Sequence, residues 1–126
     1  MSNEITVSMS LSCVNGNFIF PRQGISKQFD QTTVGGATPG TVTIATSSGT
    51  KIPLTDIGTE GWAIITNLDE TNNVTWGGIT VAEHNGLMLP GEGALFRLNP
   101  ITPDTNDLWM VAVGGACEVL IQVLEA

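Results

Sequence analysis

The feature that most constrains the fold is a strand, a turn and a second strand within residues 61–77, GWAIITNLDETNNVTWG. The first strand is almost wholly apolar, the turn is polar, and the second strand carries Trp76. Residues 89–98, LPGEGALFRL, place a Pro-Gly turn directly before another strand. Apolar strands separated by short turns are typical of antiparallel sheets. Neither block contains a reactive combination of side chains, so we expect the function to lie in surfaces and assembly.

The N-terminal residues form a second clear pattern. Apolar side chains alternate with Thr and Ser at five successive odd positions: Ile5, Val7, Met9, Leu11 and Cys13. This period of two predicts a half-buried strand with one apolar and one hydroxyl face. Asn15-Gly16 predicts a hairpin turn into a strand at residues 17–20. Pro21 is predicted to end that strand or to mark it as a sheet edge.

The remaining chain reads as short strands joined by Gly-, Pro- and Asn-rich turns, with no helix. Strands are predicted at residues 28–34, 41–46, 51–54, 62–68, 74–76, 79–82, 87–89, 93–98, 108–113 and 117–124. Residues 35–40 and 83–86 are predicted as a loop and a turn. We therefore expect an all-β fold, an antiparallel β-sandwich of jelly-roll type. It would be a single domain over residues 1–126, with residues 1–14 as a strand or arm that pairs with a neighbouring subunit.

The surface carries unusually few charges. Charged residues make up 13% of the chain, about half of the usual fraction of roughly 25%. In addition, residues 108–113 have no polar residue on either strand face, and residues 119–123 nearly repeat this pattern, although one face of an antiparallel sheet normally meets water. A sandwich core covers one face, and a neighbouring subunit is the simplest cover for the other. The alternative is that loops of the same chain cover it.

Apolar positions on these strands are the expected anchors of the core or of subunit interfaces. They are Ile5, Val7, Met9, Leu11, Trp62, Ile64, Trp109, Met110 and Val111. The N-terminal strand is expected to join a neighbouring subunit by edge pairing, as exposed strands readily do.

The charge pattern argues against nucleic acid and membrane partners. The net charge is −8, and the four cations, Arg22, Lys27, Lys51 and Arg97, are scattered. Binding to phosphates or anionic lipids needs clustered cations. No apolar run approaches the length of a membrane span, and the first residues do not resemble a signal peptide. We expect a soluble protein that is made in a cytoplasm.

Candidate chemistry is sparse. His84, the single histidine, is predicted in an exposed turn, and the sequence shows no nucleophile or orienting carboxylate for it. Cys13 and Cys117 are predicted to be buried free thiols. The alternative is a disulfide between them, which would need an oxidising compartment. Neither has histidines nearby for a zinc site. We expect no enzyme activity, no cofactor and no metal. Trp76, beside Gly77-Gly78, is the tryptophan expected to be exposed and is the candidate for a carbohydrate or receptor contact, as is His84, although one aromatic residue does not make a sugar-binding platform.

The second half of the chain resembles small structural proteins of tailed bacteriophages. The resemblance lies in the turn Asn67-Leu68-Asp69-Glu70-Thr71-Asn72, in Pro90-Gly91-Glu92 before a strand with Arg97, and in a final hairpin strand at residues 117–125. It covers the chain from Ile57 onward.

The resemblance implies a virion component with a sandwich or jelly-roll fold and no catalysis. The expected function is a capsid decoration (cement) protein that stabilises the shell through oligomeric contacts. Its expected partners are itself, as a homotrimer, and the major capsid protein or other virion proteins. The alternative is a receptor- or glycan-binding module, or an accessory protein, of the phage tail, fibre or baseplate.

Overall fold

The structure is a computed structural model that describes residues 4–29, 36–47, 49–54, 60–78, 84–98 and 108–125. Within these ranges every regular element is a β-strand and every strand pairing is antiparallel. The all-β prediction is therefore confirmed. Contacts group the chain into two compact units, residues Met1–Thr33 and Val34–Ala126, and each is described separately.

The first unit is a long β-hairpin. Strand β1 (Ile5–Asn15) pairs with strand β2 (Phe18–Phe29). The two-residue connection is Gly16-Asn17, and Gly16 has a φ of 58°. Glycine adopts this left-handed conformation without steric cost, and tight hairpin turns require it. The predicted turn is thus confirmed.

Of the two alternatives for Pro21, that it ends the second strand is wrong, whereas that it marks a sheet edge is confirmed, because β2 is one of the two strands of its sheet. Strand β2 continues past it to Phe29. The register shifts here, because Leu11 faces Gln23 whereas Cys13 faces Phe20. Two residues of β2 therefore lie opposite one residue of β1, which is a β-bulge. A bulge leaves ladder positions unpaired, so it accommodates a proline that has no N–H to donate.

The described residues of the second unit form eight strands. They are β3 (Gly36–Ile44), β4 (Thr50–Lys51), β5 (Glu60–Asn67), β6 (Asn73–Gly77), β7 (His84–Met88), β8 (Gly93–Arg97), β9 (Trp109–Val113) and β10 (Cys117–Glu125). Their pairing is nested along the chain: β3 with β10, β4 with β9, β5 with β8, and β6 with β7. Two further ladders, β5 with β10 and β6 with β9, complete two four-stranded sheets, ordered β3-β10-β5-β8 and β4-β9-β6-β7.

Side chains from both sheets share one hydrophobic core. Buried members from the first sheet include Ile44, Ile65, Val119, Ile121 and Val123, and those from the second include Val74, Met88, Met110 and Ala112. The rings of Trp76 on β6 and Phe96 on β8 stack with centroids 4.7 Å apart and planes 12° apart. This aromatic pair joins the two sheets directly.

Three predicted boundaries are wrong. Residues 36–40, expected in a loop, form the start of β3, and residues 84–86, expected in a turn, belong to β7. The strand predicted at 51–54 is reduced to Thr50–Lys51. Most of the strand predicted at 28–34, and that at 79–82, lie outside the described residues. The strand positions at 74–76, 93–98, 108–113 and 117–124 agree with the structure to within one residue at each end, and the strand predicted at 62–68 begins two residues earlier, at Glu60.

Strand β9 is covered largely by its own chain. Val111 lies on the face opposite to the core, yet it is only 8% exposed, while Met110 and Ala112 are buried on the core side. Val113 at the strand end is 51% exposed. The argument that both apolar faces of this strand need a neighbouring subunit therefore does not hold for residues 109–112.

Asn67 ties the end of β5 to two turns. It is fully buried, and its Nδ2 donates to the carbonyl oxygens of Asn72 at 2.9 Å, Leu89 at 3.3 Å and Met88 at 3.4 Å. Its Oδ1 accepts from the backbone N–H of Asp69 at 3.0 Å. Because a buried polar group without partners is costly, this side chain fixes the path of both turns.

Replacing Asn67 with Ala is expected to lower the free energy of unfolding by about 2–4 kcal/mol, because several buried backbone groups lose their partner. Chemical denaturation monitored by Trp fluorescence measures the loss. Asn85→Ala, at an exposed position of β7, is the matched control and should change stability by no more than about 0.5 kcal/mol. Equal effects of the two substitutions would contradict the role assigned to Asn67.

Candidate interaction surface

The hairpin presents one apolar face along its outer half. Residues directly opposite in paired strands share a face, and the register places Met9 opposite Ile25, Cys13 opposite Phe20, and Asn15 opposite Phe18. We call the resulting group the hairpin face; its members are Met9, Leu11, Cys13, Phe18, Phe20 and Ile25. The other side carries hydroxyls, with Ser8 and Ser26 Oγ atoms 3.2 Å apart.

This apolar face is exposed. Leu11 is 68%, Phe18 63% and Ile25 61% exposed. At the base of the hairpin, Ile5 and Val7 on the same face are buried. The tip is apolar on its other side as well, where the exposed Val14 and Ile19 face each other. Contiguous exposed apolar area of this kind marks an interaction site, because soluble proteins otherwise keep such patches small.

A second apolar surface lies on the outer face of the sheet β3-β10-β5-β8. Ile64 of β5 lies opposite Leu95 of β8, and Thr66 lies opposite Leu120 of β10. We call Trp62, Ile64, Leu95 and Leu120 the sheet face. Ile64 is 46% exposed and the others are half-buried, whereas Ala63 and Ile65, on the opposite face of β5, are buried in the core.

The structure separates the predicted anchors into three environments. Met9, Leu11 and Ile64 are on these two surfaces, and Trp62 is half-buried beside Ile64. Ile5, Val7, Met110 and Val111 are buried, and Trp109 is half-buried. Sequence reasoning missed the β2 half of the hairpin face: Phe18, Phe20 and Ile25. The apolar residues of this face occupy even positions before the bulge at Pro21 and an odd position after it. A search for a simple period of two therefore does not reveal them.

The two turn motifs behind the resemblance to phage proteins meet in space. The N–H of Asn67 donates to the carbonyl of Glu92 at 2.8 Å, and the N–H of Gly91 donates to the carbonyl of Asn67 at 3.1 Å. A shallow depression of about 430 Å³ lies between the turns. The motifs thus form one structural junction at the end of β5.

Asp69 organises the first of these turns. Its Oδ1 accepts from the N–H of Thr71 at 2.8 Å and of Asn72 at 2.6 Å, and also from the hydroxyl of Thr71 at 3.2 Å. The backbone bond from Thr71, followed by that from Asn72, lowers the pKa of Asp69 below its usual value of 3.8 because both favour the charged carboxylate. This is turn chemistry of the Asx type.

His84 is not the exposed turn residue that the sequence predicted. It lies in β7, where Nε2 is 2.9 Å from the carbonyl oxygen of Gly78 and Nδ1 is 3.0 Å from Oγ1 of Thr75. A carbonyl only accepts, so Nε2 carries the proton and the Thr75 hydroxyl donates to Nδ1. In a catalytic triad a carboxylate, not a backbone carbonyl, orients the imidazole. We assign this pair to bridging β6 and β7.

Trp76 is likewise committed to the fold. Besides stacking on Phe96, its indole lies against Gly86, where an added Cβ would overlap the ring. Trp76 and His84, the residues of interest for ligand binding and catalysis in the sequence, are therefore both engaged in internal contacts.

The two cysteines are free thiols in different environments. Cys117 is buried, and its Sγ lies 3.5 Å from the carbonyl of Gly115 and 3.7 Å from that of Asn73. Burial raises the pKa of Cys117, and the negative charge of Asp69 adds to this. Cys13 is exposed on the hairpin face, so the expectation of two buried thiols is wrong for Cys13.

Neither a metal-binding cluster nor a membrane-spanning helix is found in the described ranges. They hold no group of three or more His, Cys, Asp or Glu side chains placed to bind a metal ion. The same ranges contain no helix whose length and apolarity would let it cross a bilayer.

Comparison with protein-family models, with curated proteins and with solved structures finds no match to this chain. The arguments for function therefore come from its own surfaces.

In dilute protein, Cys13 is expected to react rapidly with a thiol reagent. Cys117 should react at least about 1,000-fold more slowly, because it becomes accessible only on unfolding. Stopped-flow absorbance with a chromogenic disulfide measures both rates. Cys13→Ser should remove the fast phase, and Cys117→Ser should leave it. Two fast phases in folded protein would contradict the burial of Cys117.

Acid should weaken the Asp69 turn. Because folding lowers the pKa of this carboxyl, its contribution is present above the unfolded value of 3.8 and is lost as pH falls through the lower folded value. Asp69→Asn keeps the acceptor oxygen but cannot titrate. The difference in Tm between wild type and Asp69→Asn should therefore shrink between about pH 6 and about pH 2. A pH-independent difference by calorimetry would show that the charge of Asp69 is irrelevant.

Proposed function

We propose that this protein is a structural subunit of a phage particle, a capsid decoration protein that works by self-association and by attachment to the shell. The observation that carries the proposal is the hairpin face, an exposed apolar surface on a chain with few charges. A surface of this kind is covered when copies assemble.

We also propose that strands β3 to β10 form a jelly-roll sandwich. Nested pairing of the first and last, second and seventh, third and sixth, and middle strands is the connectivity of a long hairpin rolled into two sheets. The shared core and the Trp76–Phe96 stack support face-to-face packing of these sheets. Jelly rolls are common in viral capsid proteins, which agrees with the resemblance but does not by itself assign a function.

In this role the protein is not an enzyme and is located in the virion. Its partners are further copies of itself, in a trimer, and the major capsid protein or another virion protein. Each contact is modest, but copies linked in one oligomer bind the shell with the combined strength of several contacts. The net charge of −8 keeps decorated particles soluble and apart.

The test is cosedimentation with undecorated shells of the phage that encodes the chain. Wild-type protein is expected to pellet with shells, and Leu11→Ser/Ile25→Ser should reduce the bound fraction at least about 10-fold, because the apolar contact is lost. Ser8→Ala on the hydroxyl side of the hairpin is the control and should bind normally.

Purified tails from the same phage form the second arm of the experiment. Binding to tails and not to shells would replace decoration by a tail accessory role. Wild-type protein that pellets with neither particle would refute the proposed function.

A further inference from the structure

Asparagine followed by glycine occurs twice in the chain, at Asn15-Gly16 and at Asn85-Gly86. Both asparagines are exposed, but the first pair lies at the tip of the hairpin and the second lies within β7. We propose that Asn15 is a site of spontaneous deamidation in the folded protein, and that the fold protects Asn85 from the same reaction. Water is the co-reactant, and neither an enzyme nor a cofactor takes part.

The reaction converts the side-chain amide into a carboxylate in two steps. The backbone nitrogen of the glycine attacks Cγ of the asparagine, and an N–Cγ bond forms as the Cγ–Nδ2 bond breaks. The amide proton of the glycine leaves with the Nδ2 group as ammonia. Water then adds to one carbonyl of the cyclic imide and opens the ring, giving aspartate or isoaspartate. Glycine favours ring closure because it has no side chain to hinder the attacking nitrogen.

The backbone at Gly16 is free to take part in ring closure. Asn15 and Phe18 pair across the two-residue turn, and the hydrogen bond of such a turn joins the residues at its two ends, so the N–H of Gly16 is left over. Apart from its chain neighbours, no heavy atom of the described residues lies within 4 Å of a Cβ placed on Gly16. The ring and the incoming water therefore have room. The end of a hairpin also opens at little cost, because few contacts hold it.

The backbone around Asn85 is restrained. Ring closure needs rotation about the bond between Cα and the carbonyl carbon of the asparagine, and the pairing of β7 with β6 resists this rotation. Gly86 lies opposite Trp76, and a Cβ at Gly86 would overlap the indole ring. Because the indole also stacks on Phe96, Gly86 cannot move without disturbing the core. Both asparagines are exposed, so backbone restraint and not access of water separates the two sites.

Deamidation changes the tip of the hairpin in two ways. A carboxylate replaces a neutral amide next to Val14 and opposite Phe18, both exposed, and it adds a negative charge to a chain of net charge −8. Isoaspartate also adds a methylene to the backbone after residue 15, which no longer fits a two-residue turn, because turn geometry sets the register of a hairpin. The reaction therefore limits the time over which the tip stays uncharged and regular.

Incubation of folded wild-type protein in mildly alkaline buffer tests the proposal. Peptide mapping by mass spectrometry follows the exchange of the side-chain NH2 for OH at each asparagine, and isoaspartate-specific enzymatic methylation identifies the product. Asn15 is expected to deamidate at least about 10-fold faster than Asn85, because the restrained site reacts only when β7 opens locally. In denaturant the two sites should react at similar rates, because the fold is what separates them.

Matched variants locate the reaction. Asn15→Gln keeps a primary amide at the tip but lengthens the side chain, which disfavours ring closure, so this variant should lack the fast reaction. Asn17→Gln changes the other asparagine of the turn, which precedes Phe18, and should leave the fast reaction unchanged. Both positions are exposed, and continued protection of Cys117 from thiol reagents reports that each variant is folded.

Three results would overturn the inference. They are an unreactive Asn15 in folded protein, a rate at Asn85 that equals or exceeds the rate at Asn15, and a difference between the sites that persists in denaturant. The last result would assign the difference to local sequence and not to the fold. All of these measurements are made on the purified chain alone, so they do not depend on whether it binds phage particles.

Discussion

The burial of β10 in the core shared by the two sheets is the interaction on which the rest of the second unit depends. This strand is paired on both sides, with β3 and with β5. Its inward side chains, Cys117, Val119, Ile121 and Val123, are almost completely buried, while Glu118 and Gln122 point outward and are exposed. A slip by one residue would bury a carboxylate and an amide, so the alternation holds β3, β10 and β5 in a single register.

The alternation of apolar and polar residues was also the clearest signal of strands in the sequence. Strands β1, β5, β9 and β10 were predicted because their apolar residues recur with a clear period or run. Residues 36–40, GATPG, have the composition of a loop. They form a strand because pairing with β10 outweighs the local preference of these residues. The first half of β7, residues 84–86, was missed for a related reason: Gly86 suggests a turn, yet its missing side chain makes room for the Trp76 ring.

About half of the hairpin face could be predicted from the sequence. The period of two in β1 identified Met9 and Leu11, but the bulge hid their partners on β2. Apolar residues on both faces of β9 suggested a neighbour, and the structure instead buries Val111 within the chain. Burial by distant segments of the same chain is a tertiary property, and no local pattern encodes it. In the turn motifs around Asn67 and Asp69, in contrast, both side chains form hydrogen bonds that hold the turns in place. These motifs therefore bear on the fold more than on function.

The bulge at Pro21 has a consequence for the free edge of β2. An uninterrupted two-stranded sheet with an exposed apolar face could pair with further strands along its free edges and grow into fibrils. The extra residue makes the edge of β2 irregular, and proline has no amide hydrogen to donate. Another strand therefore pairs poorly with this edge. Growth of an extended sheet from this edge of the hairpin is thereby disfavoured.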